Sequence, residues 1–300
     1  MGATAAGVCR RVLSGAFARR RTTPAVADNQ FHYIAAQINT NHSIRLHYDG
    51  TTWRLYLNGN LEATLAANAT LVGLCAGADF AMEEVERILP RNTCALIKSS
   101  FGFKLGKVCP YLECADMLVG ENTCDGKKKA YESLGHLVEN LYVMDLPQVK
   151  SANGKALLKN EYQRFKTAVE QLTGVSITVA SLQQAIKTVN AKRAAMHRLA
   201  RLRQADPAPI SGLDALLANQ VFFYDNPERF TASVEKLCDE LEGRVKAGKG
   251  VVPRGAPRVV ISGCPMAVPN WKLPTIIEKS GAVIVGEESC VGDRGTQVLT

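Results

Sequence analysis

The 300-residue chain has no run of 18 consecutive apolar residues, which gives no reason to expect a membrane-spanning helix. It opens on no apolar stretch with a small-residue cleavage site, so nothing marks it for secretion. Aromatic residues are only 6% and show no recurring interleaving with basic ones, although the formal charge is +8. Five arginines (Arg10, Arg11, Arg19, Arg20 and Arg21) precede the first acidic residue, Asp28, leaving only +3 for the remaining chain. A nucleic-acid surface needs clustered charge on the folded body, so no nucleic-acid partner is expected. The cysteines lack the tight pairs and accompanying histidines of a zinc site; Cys109 and Cys114 are the one short pair.

What the chain does have is nine cysteines in an ordinary globular composition, 46% hydrophobic and 21% charged. Disulfide scaffolds are usually much shorter, so the body reads as cytoplasmic, where clustered cysteines point to metal or redox chemistry. Cys75, Cys94, Cys109, Cys114 and Cys124 form one group, with Cys264 and Cys290 a second.

Residues 1–27 are Ala- and Arg-rich, a leader expected to be disordered; an organellar transit peptide has a similar composition. Residues 28–66 alternate apolar and polar positions around Asp49-Gly50 and Asn58-Gly59, which predicts a β-hairpin segment resembling a piece of a laminin-G-like sandwich. Residues 67–150 read as a first α/β domain, with strands at Leu71–Leu74, Asp116–Val119 and Leu141–Met144. Its helices are predicted over Phe80–Leu89, with Asp79 as N-cap, and from Asp125 to about Val138. Residues 151–250 are a helical insertion, with helices over Ala156–Leu172 (stopped by Gly174), Val179–Leu202 and Pro227–Val245. The basic stripe of the second is read as a solvated face. Residues 251–300 begin a second, parallel α/β domain with strands at Arg258–Ile261 and Ala282–Val285.

Cys75, Cys124, Cys264 and Cys290 each lie at or just beyond the C-terminal end of an apolar strand. Ligands of open α/β sheets sit beyond those ends. Thiolates gathered from separated loops suit an iron–sulfur cluster, and buried inert cysteines are the competing explanation.

The strings LVGLCAGADF, LPRNTCALIKSSFGF, CPYLECADMLVGENTCDGKKKAYE and LYVMDLP, with RVVISGCP and GAVIVGEESCVGDRG further on, resemble the 2-hydroxyacyl-CoA dehydratase D-component family. That family also includes benzoyl-CoA reductase subunits, and within it the strings are most similar to the double-cubane cluster proteins. The resemblance covers roughly residues 70–296. It implies a Rossmann-like parallel-sheet domain with a helical insertion, followed here by an incomplete second Rossmann-like domain. It implies an iron–sulfur cluster, [4Fe-4S] in dehydratases or [8Fe-9S] in double-cubane members. Carried over by motif, the thiolate ligands are Cys75, Cys94, Cys109, Cys124, Cys264 and Cys290. Cys114 falls outside the motif and reads as a buried strand-start cysteine, while Cys9 and Cys238 are not candidates.

The family further implies an ATP-hydrolysing iron–sulfur activator as electron donor, a related subunit in a homo- or heterodimer, and a small-molecule or acyl-CoA substrate. The chain itself carries no P-loop string. Lys98, Ser99 and Ser100, just after Cys94, are candidate catalytic groups. Lys127 and Lys128 lie in the first turn of a helix, where cations oppose the helix dipole, and are candidates for holding a cofactor anion. Members continue beyond the equivalent of Thr300, so full activity of this exact chain is in doubt. A cluster-free remnant or a binding module is the alternative function.

Overall fold

A computed structural model describes residues 33–36, 59–74, 78–263, 266, 270–289, 291–292 and 296, with the backbone alone for 33–36 and 59–62. The chain divides into two compact units, one built mainly from residues 68–175 with 33–36, the other from 176–300 with 59–67.

The first unit is a four-stranded parallel sheet in the order β2-β1-β3-β4. Its strands are β1 (Tyr33–Ala36), β2 (Thr70–Gly73), β3 (Met117–Glu121) and β4 (Leu141–Met144). β3 is buried at every position, as expected of an apolar parallel strand covered on both faces. The strand order reverses at β1, with β2 on one side and β3 on the other. In open α/β sheets that reversal opens a crevice beyond the strand ends, and β3 with its following turn borders it.

The sheet is flanked by α2 (Met82–Ile88), α3 (Ala95–Leu105), α4 (Pro110–Cys114) and α5 (Asp125–Leu134), with α6 (Ala152–Thr173) in the same unit. Val85, Ile97, Phe101, Leu112, Leu118, Tyr131 and Leu134 form its core. α6 attaches to β4 through Arg164, which donates to the Val143 carbonyl at 3.0 Å, and through Glu161, which accepts from the Tyr142 hydroxyl at 2.9 Å. Gly174, in the left-handed region at φ 69°, ends α6 as its position implies.

Parallel pairing of β1 with both β2 and β3 differs from the hairpin expected over 28–66. Alternation fixes which residues share a face but not which strand becomes the partner. Gly59, read as a hairpin turn, instead opens helix α1 (Gly59–Ala66); residues 37–58 lie outside those described. α2 starts at Met82 behind a left-handed Ala81 rather than being capped by Asp79.

The second unit contains α1, α7 (Val179–Leu202), α8 (Gly212–Val221) and α9 (Pro227–Lys246). It ends in a two-stranded parallel sheet, β5 (Arg258–Ser262) with β6 (Val283–Glu288), joined through α10 (Lys272–Lys279). α7 opens on a capping box made by Thr178 and Ser181. α7 and α9 pack around Met196, Leu199, Phe230, Val234 and Cys238. Cys238 is fully buried there, a packing residue.

The basic stripe of α7 is not a solvated face throughout, for Lys192 and Arg193 are each 1% exposed. Lys192 donates to the Phe222 carbonyl at 2.6 Å and lies 4.4 Å and 5.0 Å from the Phe222 and Phe230 ring centroids. Carbonyl oxygens and aromatic faces supply the partial negative charge that makes this burial tolerable.

Candidate functional site

Of the six cysteines expected to bind iron, Cys94, Cys109 and Cys124 are described; Cys75, Cys264 and Cys290 lie outside the described residues. The three share one position: Cys94 immediately precedes α3, Cys109 precedes α4 and Cys124 precedes α5. All three are free thiols, and none donates its side chain to capping its own helix. Cys94 and Cys124 are exposed and Cys109 is half-buried. A helix start carries uncompensated N–H dipoles, and so favours negative charge such as a thiolate.

Two of these helix starts meet. A Cβ placed on Gly126, in the first turn of α5, would lie 3.0 Å from Ile97 Cδ1 in the first turn of α3 and 3.7 Å from Cys124 Sγ. Glycine at position 126 lets the two turns approach without displacing the Ile97 side chain. Cys109 packs on the same core to which Ile97 belongs. Burial raises the Cys109 thiol pKa above its ordinary value, with Glu113 adding to the rise, although the N–H groups of Leu112 and Tyr111 pull the other way.

The chain leaving β3 is held residue by residue. Glu121, 5% exposed, forms an ion pair with buried Lys127, and its other oxygen accepts from the Thr123 N–H at 2.8 Å and from the Thr123 hydroxyl. Asn122 donates to Asp145 and accepts from the Leu146 N–H at 2.8 Å. The Glu121 N–H donates to the Tyr131 hydroxyl at 3.2 Å. Burial, and secondarily the nearby Cys124 charge, push the Tyr131 hydroxyl pKa upward. Gly120 makes room for that ring, since a Cβ there would lie 2.5 Å from it. Glu121 was not a sequence candidate, although a carboxylate closing an otherwise apolar strand is a visible signal.

The other expected site residues have structural partners. Lys98 bridges α2 and α3, with its ammonium 3.0 Å from Glu86 and 3.1 Å from the Arg91 carbonyl, and its hydrogen bond holds the Glu86 carboxyl below its usual pKa. Buried Ser99 donates to the Ala78 carbonyl at 2.8 Å and accepts from the Ala78 N–H at 3.2 Å. It thereby ties the segment three residues after Cys75 to α3. Ser100 donates to the Leu96 carbonyl within its own helix. Lys127 uses its charge internally on Glu121, whereas Lys128 is exposed, 3.6 Å from Asp125. Cys114 ends α4 rather than starting a strand, and it is disulfide-bonded. Among the described residues no three His, Cys, Asp or Glu side chains converge as a metal site.

Residues 60–300 match the model of the family described as 2-hydroxyglutaryl-CoA dehydratase, D-component. The chain belongs to this family. It is 37% identical over 239 residues to the dehydratase subunit YjiM of Escherichia coli K12, covering 79% of this chain and 61% of that protein. It is 24% identical over 244 residues to the (R)-phenyllactyl-CoA dehydratase beta subunit of Clostridium sporogenes, covering 80% of this chain and 62% of that one. The chain thus spans somewhat over three-fifths of the curated relatives it matches. The family match begins at residue 60, so the 28–59 segment lies outside it. Among the described residues no helix is long and apolar enough to cross a membrane.

Proposed function

We propose that this chain is an iron–sulfur component of a 2-hydroxyacyl-CoA dehydratase-like system, built on Rossmann-like α/β units. The observation that carries the reading is the common placement of Cys94, Cys109 and Cys124 before helices, with the α3 and α5 starts in contact. The donor chemistry suits iron, because soft thiolates are the usual ligands of such clusters. Cys75, Cys264 and Cys290 complete the donor set by motif. A bound cluster supplies low-potential one-electron chemistry. The protein's own part is to hold Cys94 and Cys124 before helix starts, whose dipoles favour a thiolate, and to fix the turns that bear them. Lys128, whose charge reaches solvent, is a cation that would meet a cofactor or substrate anion.

Electrons would come from an ATP-hydrolysing iron–sulfur activator, and the substrate would be an acyl-CoA or other small molecule reduced or dehydrated with a related subunit. The test is anaerobic reconstitution of the purified chain followed by iron analysis and electron paramagnetic resonance. About four irons per chain would indicate one [4Fe-4S] cluster and about eight a double cubane, which the six matched cysteines favour. Less than about one iron per chain would sink the proposal. Cys124→Ser should lose iron, whereas Cys238→Ser should not.

A further inference from the structure

Two strand ends in this chain carry the same pattern. β3 runs out through Val119-Gly120-Glu121-Asn122-Thr123-Cys124 and then Gly126; β6 runs out through Val285-Gly286-Glu287-Glu288-Ser289-Cys290 and then Gly292. In both, a glutamate stands three residues before the cysteine, a hydroxyl residue directly before it, and a glycine two after. Both glutamates are buried, Glu121 at 5% and Glu287 at 4% exposure. A carboxylate at the end of a buried strand is costly unless it is paired and hydrogen-bonded.

Each is paired with a buried cation, but the cations come from different places. Lys127 reaches Glu121 from the helix that follows Cys124. Arg203 reaches Glu287 from the C-terminal end of α7, forming two bonds of 2.6 Å and 2.8 Å, and donates also to the Ile284 carbonyl at 2.8 Å. The same solution built from unrelated segments shows that the strand-end carboxylate, rather than any one cation, is the repeated element. Replacing a buried ion pair by apolar groups is often neutral for stability, so stability alone does not call for two.

At the first strand end the carboxylate acts on the turn that bears the cysteine; at the second the contact runs through the Glu287 backbone. Glu121 takes hold of Thr123 just before Cys124 and of Lys127 just after it, gripping the turn from both sides. At the second strand end, a Cβ on Gly292 would lie 2.2 Å from the Glu287 carbonyl oxygen, so the chain folds back onto Glu287 two residues beyond position 290.

We infer that Glu121 with Lys127, and Glu287 with Arg203, are positioning residues: a repeated carboxylate–cation clamp that fixes how each strand end presents its cysteine. The inference rests on reading Cys124 and Cys290 as functional thiols, but its test needs no iron. The full-length chain, reduced and metal-free, is alkylated with limiting iodoacetamide, and each cysteine's rate is read by mass spectrometry.

Glu121→Gln should change the Cys124 rate by about fivefold or more, the effect of roughly 1 kcal/mol, while Cys94, Cys109 and Cys290 stay near their wild-type rates. Glu287→Gln should do the same for Cys290 and not for Cys124. Lys127→Arg should keep the wild-type Cys124 rate, and Arg203→Lys should largely keep that of Cys290. All cysteines accelerating together would mean that the clamp only holds the fold, which overturns the inference, as would unchanged rates. Should a single substitution unfold the chain, the double variant Glu121→Leu, Lys127→Met leaves no orphaned charge. A retained melting transition with a selectively altered Cys124 rate then upholds the clamp, and a wild-type rate overturns it. Iron-free wild-type protein after reconstitution would remove the iron reading and leave this measurement intact.

Discussion

At the scale of single residues, the buried charges of the second unit decide most. Arg203 and Glu287 are both nearly inaccessible and paired in a two-pronged geometry. Removing one partner of such a pair strands a charge in a low-dielectric interior. Arg203→Met is therefore expected to cost about 3–5 kcal/mol in urea unfolding of the second unit. Among the described residues Lys192 forms no ion pair with a carboxylate, only bonds to backbone carbonyls. Burial lowers its pKa from 10.5 to about 8, only partly opposed by Asp225 and Glu228, with Arg193 adding to the fall.

The unfolded chain then binds more protons than the folded one between pH 8 and pH 10.5, so this residue makes stability rise with pH across that window. The folded form bears the cost of charging Lys192 below about pH 8, on the order of 3 kcal/mol. Lys192→Met should remove that rise, read as the difference between wild-type and variant unfolding free energies at pH 8 and pH 10. The thiols follow the same logic of burial. Cys238, whose thiol is pushed up to about 11 by burial, should stay unalkylated at pH 8 in the native chain, while exposed Cys94 and Cys124 react.

At the scale of elements, the turns and helix starts around the cysteines are held by short polar links. Ser99 makes both of its hydrogen bonds to Ala78 across a 21-residue separation. Ser99→Ala should cost about 1 kcal/mol, from leaving the partly buried Ala78 N–H and carbonyl without partners, measured by chemical denaturation. If Ser99 instead acted in chemistry, activity would fall far more than stability. Gly120 permits Tyr131 to lie across the end of β3. Gly120→Ala should therefore destabilise the first unit by about 1–3 kcal/mol through overpacking, seen as a lower melting temperature. Thr178, by contrast, caps an exposed helix start, and Thr178→Ala should cost only about 1 kcal/mol.

At the scale of the whole molecule, the elements legible in the sequence were those whose signal is local. Val179–Leu202 and Leu141–Met144 are found where the periodicity and apolar run place them, and Pro227 and Gly174 mark helix ends as their chemistry requires. α4 was missed because five residues offer too little period to read. For the candidate site the sequence offers motifs rather than geometry. Cysteines following apolar strands stand out in a string, and family motifs sort six from nine. Iron content of the reconstituted chain, lost in Cys124→Ser, is the measurement that tests the donor set as a whole.

The sequence by itself determined the family and the α/β alternation, because each depends on neighbours along the chain. Only the tertiary structure decided that β1 pairs parallel between β2 and β3, that α7 buries Lys192 and Arg193, and that Lys127 pairs with Glu121. Whether a charge meets solvent, a carbonyl or an opposite charge is set by chain segments far away in sequence, and desolvation energies make that choice only once those segments have packed.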